Sequence, residues 1–436
     1  MLTRELVGIL GIGGLLALII AGVPIAFSFI IVASAGLLYL ESVGVVLSTF
    51  QTIPYRWAAS YELSCIVLFI LMATFASHSG LAEVLYDAAN KWLGKVRGSL
   101  AMATVVACGA FATISGSSIA TAGAMGKIVL PEMKKLKYDE RLAAGCAAAG
   151  GTLGILIPPS ISFVIYAVLV EASIGALFMA GIFPGLMEII SYMLVIALLL
   201  RIFPGWAPAG RSYSIKAKLS SLALVWPVAL VAVVVLGGIY MGVFTPTEAG
   251  GIGVTATFLI LLSTRRMSRK IFFGSLAEAG KLTCAIYLII IGAMVFNRFL
   301  AIAGTMDLIG RQAELFGTPI TFLLFVMLVY FILGMFMDPM AMIILTIPIF
   351  LPIISKLGIS FIWYGVICVR MMEVGMITPP VGLNLFTIHA VNPDVPSLQI
   401  IKGAIPFVIA DIICIAILIV FPQISLWLPS TMMKKR

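Results

Sequence analysis

Long apolar runs separated by short polar punctuation make up most of this chain. A hydrocarbon core of about 30 Å is crossed by about 20 apolar residues in a helix. Spans are therefore predicted near 63–79, 177–203, 221–241, 246–263, 280–303 and 403–428. Residues 7–40 form a longer run broken by Gly22-Val23-Pro24, which predicts two short helices meeting at a turn. Four further apolar stretches are interrupted near their middle. Those at 141–170 and 361–391 are cut by glycines and a Pro-Pro pair, which predicts broken helices. Those at 99–133 and 318–355 are cut by Ser115-Gly116-Ser117-Ser118 and Met337-Asp338-Pro339-Met340, which predicts re-entrant hairpins.

Composition agrees with lipid as the main solvent. Hydrophobic residues make up 62% of the 436 and charged residues 10%, with mean hydropathy +1.19. A soluble domain carries about a quarter charged residues. The opening MLTRE and its apolar run superficially suggest a signal peptide, but the run reaches Tyr39 and is read as retained membrane structure. The +9 net charge is read as Lys and Arg collecting in cytoplasmic loops, with no nucleic-acid partner. Arg201, Arg211, Lys216 and Lys218 lie in one loop, and Arg265, Arg266, Arg269 and Lys270 in another two spans later. Both loops are then cytoplasmic, as are Lys91 to Arg97 and Lys134 to Arg141 if 99–133 dips in and returns. The same counting puts the tail Lys434-Lys435-Arg436 outside, against the rule.

A repeat runs through this pattern. Leu130-Pro131 recurs as Leu351-Pro352, Gly154 as Gly375, and Pro158-Pro159 as Pro379-Pro380, all at an offset of 221 residues. One residue later in register, Gly181 to Pro184 matches Gly403 to Pro406. Each half reads span, hairpin, broken helix, span, and the count of crossings inverts the second half. The fold class is thus an all-α polytopic membrane protein with inverted repeats, two re-entrant hairpins and two broken helices, an organisation found in secondary transporters. The boundaries expected are scaffold helices at 1–62, repeat 1 at 63–203, linking helices at 204–279, repeat 2 at 280–428 and a tail at 429–436.

Backbone groups freed at a break cannot stay unsatisfied in hydrocarbon. Buried between repeats, carbonyls can ligate a cation and helix N-termini an anion. The hydroxyls and glycine carbonyls at Ser115–Ser118 suit a small hard cation such as Na⁺. Gly150 to Gly154, followed by Pro158, Pro159 and Ser160, provide close backbone approach and an unwound segment. Close helix packing through small residues is the plainer reading of either segment alone. Asp338 is either the cap of the following half-helix or part of a cation site. Arg298 either meets a substrate carboxylate or neutralises a neighbour. Arg370 and Glu373, three apart, pair with each other. Glu248 fits a helix-start cap, Lys127 snorkels, and His389, Glu171 and Asp411 lie near span ends and reach the interface. The two histidines and six scattered cysteines offer no metal centre or disulfide framework. No phosphate-binding loop, HExxH or GxSxG occurs, so neither an ATPase nor an enzyme is expected, and no organic cofactor.

At these residues the chain resembles the large membrane subunit of tripartite ATP-independent periplasmic (TRAP) transporters, the DctM-like family. The matching stretches are SGSSIATAGAMGKIVLPEMKK (115–135), GGTLGILIPPS (150–160), FTPTEAG (244–250), MDPMAMIILTIPIFLPI (337–353) and GMITPPVGLNLF (375–386). The resemblance implies Na⁺-coupled uptake of small organic acids such as C4-dicarboxylates, sialic or keto acids, by an elevator movement. It implies a small four-helix membrane subunit, a periplasmic substrate-binding protein, surrounding membrane lipid and a place in the bacterial inner membrane. Carried over by position, one Na⁺ site lies between Ser115, Gly116, Ser117, Ser118 and Gly150, Thr152, Gly154. A second lies between Met337, Asp338 and Gly375, Thr378. Substrate sits between the hairpin tips, with Thr121, Pro158, Pro159, Met340, Pro379, Pro380, Asn384 and Arg298 as candidate contacts. The alternative is a stand-alone dicarboxylate or anion carrier of the same superfamily that works without a binding protein.

Overall fold

Apolar runs fold in lipid as helices because only a helix satisfies its own backbone within one segment. The computed structural model describes residues 2–433, and every regular element among them is helical. The tail charges at 434–436 lie outside the described residues. Three helices open the chain: α1 (Arg4–Ile20), α2 (Ile25–Leu40) and α3 (Val43–Ala58). The turn between α1 and α2 falls at Gly22 and Pro24, with Gly22 at φ +86°. The first repeat then runs α4 (Tyr61–His78), α5 (Leu81–Leu93), α6 (Ser99–Ser115), α7 (Ser118–Lys135), α8 (Glu140–Leu156), α9 (Ile161–Leu169) and α10 (Ile174–Ile202). Two linking helices follow, α11 (Ile215–Tyr240) and α12 (Pro246–Ser263). The second repeat runs α13 (Arg269–Ile302), α14 (Thr305–Arg311), α15 (Ala313–Phe316), α16 (Pro319–Gly334), α17 (Pro339–Lys356), α18 (Phe361–Met376), α19 (Leu383–Val391) and α20 (Ser397–Val420). The short α21 (Gln423–Met433) closes the described chain.

Among the described residues, seven helices are long and apolar enough to cross a membrane, or nine if each of two bent pairs counts as one span. In one of those pairs, α8 and α9 meet at 41°; in the other, α14–α15 and α16 meet at 113°. Two boundaries differ from the sequence expectation. The span expected at 280–303 is the end of a 34-residue helix that begins at Arg269, capped by Ser268 on the Ile271 N–H. The span expected at 403–428 stops at Val420, because Phe421 precedes Pro422 and that position is driven out of the helical region.

Lipid-facing and core-facing helices separate clearly. Leu186, Ile190, Leu194, Leu198 and Ile202 form an exposed apolar stripe at every fourth residue of α10, the pattern of one helix face. By contrast, every residue of α8 from Leu142 to Leu156 is buried. The interior of the fold therefore holds α6, α8, α9, α17 and α18, while α1, α10, α11, α16 and α20 present apolar faces outward. Small residues allow this density: a methyl added to Gly145 would lie 2.2 Å from the Gly403 carbonyl oxygen of α20. At the α7–α8 turn, Arg141 donates to both carboxylate oxygens of Asp139 at 2.9 and 2.8 Å. That hydrogen bonding holds the Asp139 carboxyl below the ordinary carboxylate range. The Thr245 and Glu248 pair forms a complete capping box at the start of α12.

Candidate functional site

The first hairpin turns where α6 ends at Ser115 and α7 begins at Ser118. Gly116 takes φ +58°, a conformation that favours glycine. Ser117 caps α7 by accepting from the Ala120 N–H at 3.4 Å. Behind the turn, the Ser115 and Thr121 hydroxyls lie 2.6 Å apart, and Thr121 donates to the Ser117 carbonyl at 2.8 Å. The turn is pressed onto the first broken helix. A methyl on Gly154 would fall 2.4 Å from the Ser117 carbonyl oxygen, and one on Gly116 would fall 2.8 Å from the Pro159 carbonyl oxygen. Ser115, Gly116, Ser117, Thr121, Gly154 and Pro159 are thus brought together, and most of what they present is oxygen.

The second hairpin is built differently. Asp338 caps α17 by accepting from the Met340 N–H at 3.0 Å. The approach to the broken helix comes one turn earlier, where a methyl on Gly375 would lie 2.4 Å from the Gly334 Cα. The Gly382 N–H donates to the Met335 carbonyl at 3.2 Å, and Thr378 donates to the Val374 carbonyl at 2.6 Å. Met337 and Met340 pack against the core as partly buried side chains. The peptide bonds Pro158–Pro159 and Pro379–Pro380 are both cis. Asp338→Asn should keep the α17 cap, since the amide oxygen can accept the same bond. Asp338→Ala should lower stability by about 1 kcal/mol, read as a lower unfolding midpoint in detergent.

The two repeats cross over each other. α19 lies along α7, where Asn384, fully buried, donates to the Ser118 hydroxyl at 2.8 Å and to the Ala148 carbonyl at 3.1 Å. Further along, Asn392 donates to the Gly126 carbonyl at 3.0 Å. In the opposite sense α9 packs on α17, and the Tyr166 hydroxyl donates to the Phe361 carbonyl at 2.7 Å. Four helices, α7, α9, α17 and α19, begin at the hairpin turns and breaks that these contacts chain together. The first three are capped by Ser117, Ser160 and Asp338. α19 starts at Gly382 without a side-chain cap, so the positive end of its dipole is the least satisfied of the four.

Three sequence expectations are corrected. Arg298 lies on the exposed face of α13 with no hydrogen bond or ion pair among the described residues, because Phe296, Phe299 and Leu300 take the inward positions. Gly150 and Thr152 do not present their side-chain positions to the Ser115–Ser118 turn. A methyl on Gly150 would meet Cys108 of α6, and the Thr152 hydroxyl is engaged by Ala149, Glu188 and Tyr192. Asp411 does not reach an interface: α20 extends well to both sides of it and it is fully buried. Lys127 is exposed, as expected of a snorkelling side chain.

The partner of Asp411 is Arg370. This guanidinium is fully buried and paired to three fully buried acids, Glu188 at 2.5 Å, Glu373 at 2.6 Å and Asp411 at 3.0 Å. The expected Arg370–Glu373 pair is therefore half of the arrangement. Tyr192 completes it by donating to Asp411 at 2.9 Å. Glu188 escaped the sequence reading, although as the sole acid between Glu171 and Glu248 it carried the signal of an ionisable group inside a span.

Comparison with known proteins gives a consistent picture. Residues 12–424 match the family model described as the tripartite ATP-independent periplasmic transporter, DctM component. The chain is 40% identical over 378 residues to the C4-dicarboxylate TRAP transporter large permease protein DctM of Pseudomonas aeruginosa, covering 86% of this chain and 88% of that protein. It is 32% identical to the sialic acid TRAP transporter large permease protein SiaM of Vibrio cholerae, over 95% and 97% of the two chains. Its fold is similar to that of the Alcanivorax borkumensis YdaH transporter, with a TM-score of 0.58 at 14% identity over 89% of this chain and 90% of that one.

Proposed function

Because this chain belongs to the DctM-component family of tripartite ATP-independent periplasmic transporters, we propose that it drives Na⁺-coupled uptake of small organic acids across the bacterial inner membrane. Membership makes it a multi-pass transport protein and not an enzyme. Coupling, substrate class and mechanism are the further step. The observation that carries them is the chain of contacts joining two hairpin turns, two helix breaks and four helix N-termini in the protein interior. Helix N-termini attract carboxylates, and the uncapped start of α19 beside Ser118 favours an anionic substrate there. The oxygens of Ser115, Ser117 and Thr121 against Gly154 suit one Na⁺. A second site is proposed at Met337 and Asp338 with Gly375 and Thr378, where the hairpin meets the break through Gly334 and Met335. Substrate contacts would come from Asn384, Met340 and the two prolyl pairs.

In this reading α6–α10 and α16–α20, tied together by the buried Arg370 ion pairs, move as one body, an elevator, against the remaining helices. Their dense mutual burial and crossed packing support a rigid carriage. A small membrane subunit and a periplasmic binding protein would supply the fixed partner and the loaded substrate. The test is uptake into proteoliposomes holding this chain and its small subunit, with candidate binding proteins loaded with labelled organic acids. Uptake is expected only with both an inward Na⁺ gradient and a matching binding protein. Uptake that persists with choline in place of Na⁺ would remove the coupling, and uptake without any binding protein would make this a stand-alone carrier.

A further inference from the structure

Three carboxyl groups meet one guanidinium in the buried interior of the fold. Glu188 comes from α10, Glu373 and Arg370 from α18, and Asp411 from α20, and all four side chains are fully buried. Tyr192 and Thr152 are the polar neighbours that reach them, from α10 and α8. With the acids ionised, the group carries two more negative charges than positive ones. Glu373 Oε1 and Arg370 Nε have no hydrogen-bond partner among the described residues. Such an excess is costly in a medium of low dielectric unless a carboxyl takes up a proton or a cation lies nearby. The described residues hold no grouping of His, Cys, Asp or Glu that could hold a metal ion within the cluster itself.

The position of the cluster ties it to both helix breaks. Thr152 and Glu373 are equivalent residues of the two repeats, offset by the same 221 positions as Gly154 and Gly375. Each stands two residues before the glycine that packs on its hairpin. The cluster therefore lies at the back of both helix breaks at once, joined to α8 by the 3.1 Å contact between Thr152 and Glu188. The first candidate Na⁺ set, Ser115 to Ser118 with Gly154, contains no carboxylate of its own. We propose that the Arg370–Glu188–Glu373–Asp411 cluster is the buried counter-charge for Na⁺, raising cation affinity at the helix breaks without touching the ion. The proposal rests on the Na⁺-coupling reading above. Its residues are positioning residues, since they act through the field at sites lined by neutral oxygens.

As a general scale, at an effective dielectric of about 20, one charge about 10 Å from a monovalent cation changes its affinity about tenfold. Asp411→Asn keeps the shape while removing one charge and one of the two oxygens that accept from Arg370 and Tyr192. The full-length protein in nanodiscs would be titrated with Na⁺ against a choline background, reading thermal stabilisation, and uptake kinetics would be measured in parallel. Asp411→Asn is expected to need about tenfold more Na⁺ for half-maximal stabilisation, with the KM for the organic acid at saturating Na⁺ unchanged. Asp411→Glu, which restores the charge, should restore Na⁺ affinity. A wild-type protein indifferent to Na⁺ would overturn the coupling reading and this proposal with it. A responsive wild type with Asp411→Asn superimposed on it, or an Asp411→Glu variant as impaired as Asp411→Asn, would overturn this proposal alone. If Asp411→Asn does not fold, Glu373→Gln carries the same test.

Discussion

Gly154→Ala should reduce uptake to background while leaving a folded, membrane-inserted protein. The added methyl would stand 2.4 Å from the Ser117 carbonyl oxygen, 2.7 Å from its carbon and 2.7 Å from the Thr121 hydroxyl. Two of these three atoms are backbone, so no side-chain rotation relieves the clash. The hairpin turn and α8 must part, and overpacking of this kind costs about 1–3 kcal/mol. That cost falls on the oxygens proposed to hold Na⁺. Gly375→Ala should act in the same way on the second repeat, where the obstacle is the backbone of Gly334. Gly251→Ala in α12 is the control, because a methyl there meets nothing within 4 Å. Uptake normalised to the monodisperse fraction on size exclusion separates the outcomes. Normal transport by Gly154→Ala would mean that the turn and the break need not touch.

The largest loss of stability should follow Arg370→Met. Met approximates the volume of the aliphatic stem but leaves Glu188, Glu373 and Asp411 buried together without their cation. Removing one partner of a buried ion pair costs about 3–5 kcal/mol, and here three partners lose it at once. The expected result is a strongly lowered unfolding midpoint and a poor folded yield. Adding Glu373→Gln to Arg370→Met should recover part of the loss, since one orphaned charge is removed. A double-mutant cycle on unfolding midpoints measures that coupling. Arg370→Met with wild-type stability would mean that the carboxyl groups are held by something other than the guanidinium.

The hairpins and broken helices were legible in the sequence because their breaks are written in residues that stop helices. Pro158-Pro159, Pro379-Pro380, Gly116 and Asp338 mark positions where the backbone departs from the apolar helix around it. The face of a helix was much harder to read. In water, apolar residues point inward and their period shows the core; in lipid, both faces are apolar and the period fades. Arg298 was misplaced for that reason, as nothing in the run around it shows which side of α13 faces the fold. The family resemblance places Thr152 at a cation site by position, yet its hydroxyl turns to α10. The Arg370 cluster was half legible. Glu373, three residues along one helix, could be paired by spacing, whereas Asp411 is 41 residues away and Glu188 lies in the other repeat. Contacts that join separate helices leave no periodic trace.

The crossing of α19 over α7 sets an order on how the protein is made. Ser118 and Asn384 are 266 residues apart in the chain. At a synthesis rate of about 5–20 residues per second, the first hairpin is complete roughly 13 to 50 seconds before its partner leaves the ribosome. During that interval its polar turn has neither the Asn384 amide nor the second repeat to cover it. A half-built chain is therefore not a smaller version of the transporter but an open vessel, whose polar turn stays uncovered until the second half arrives to close it.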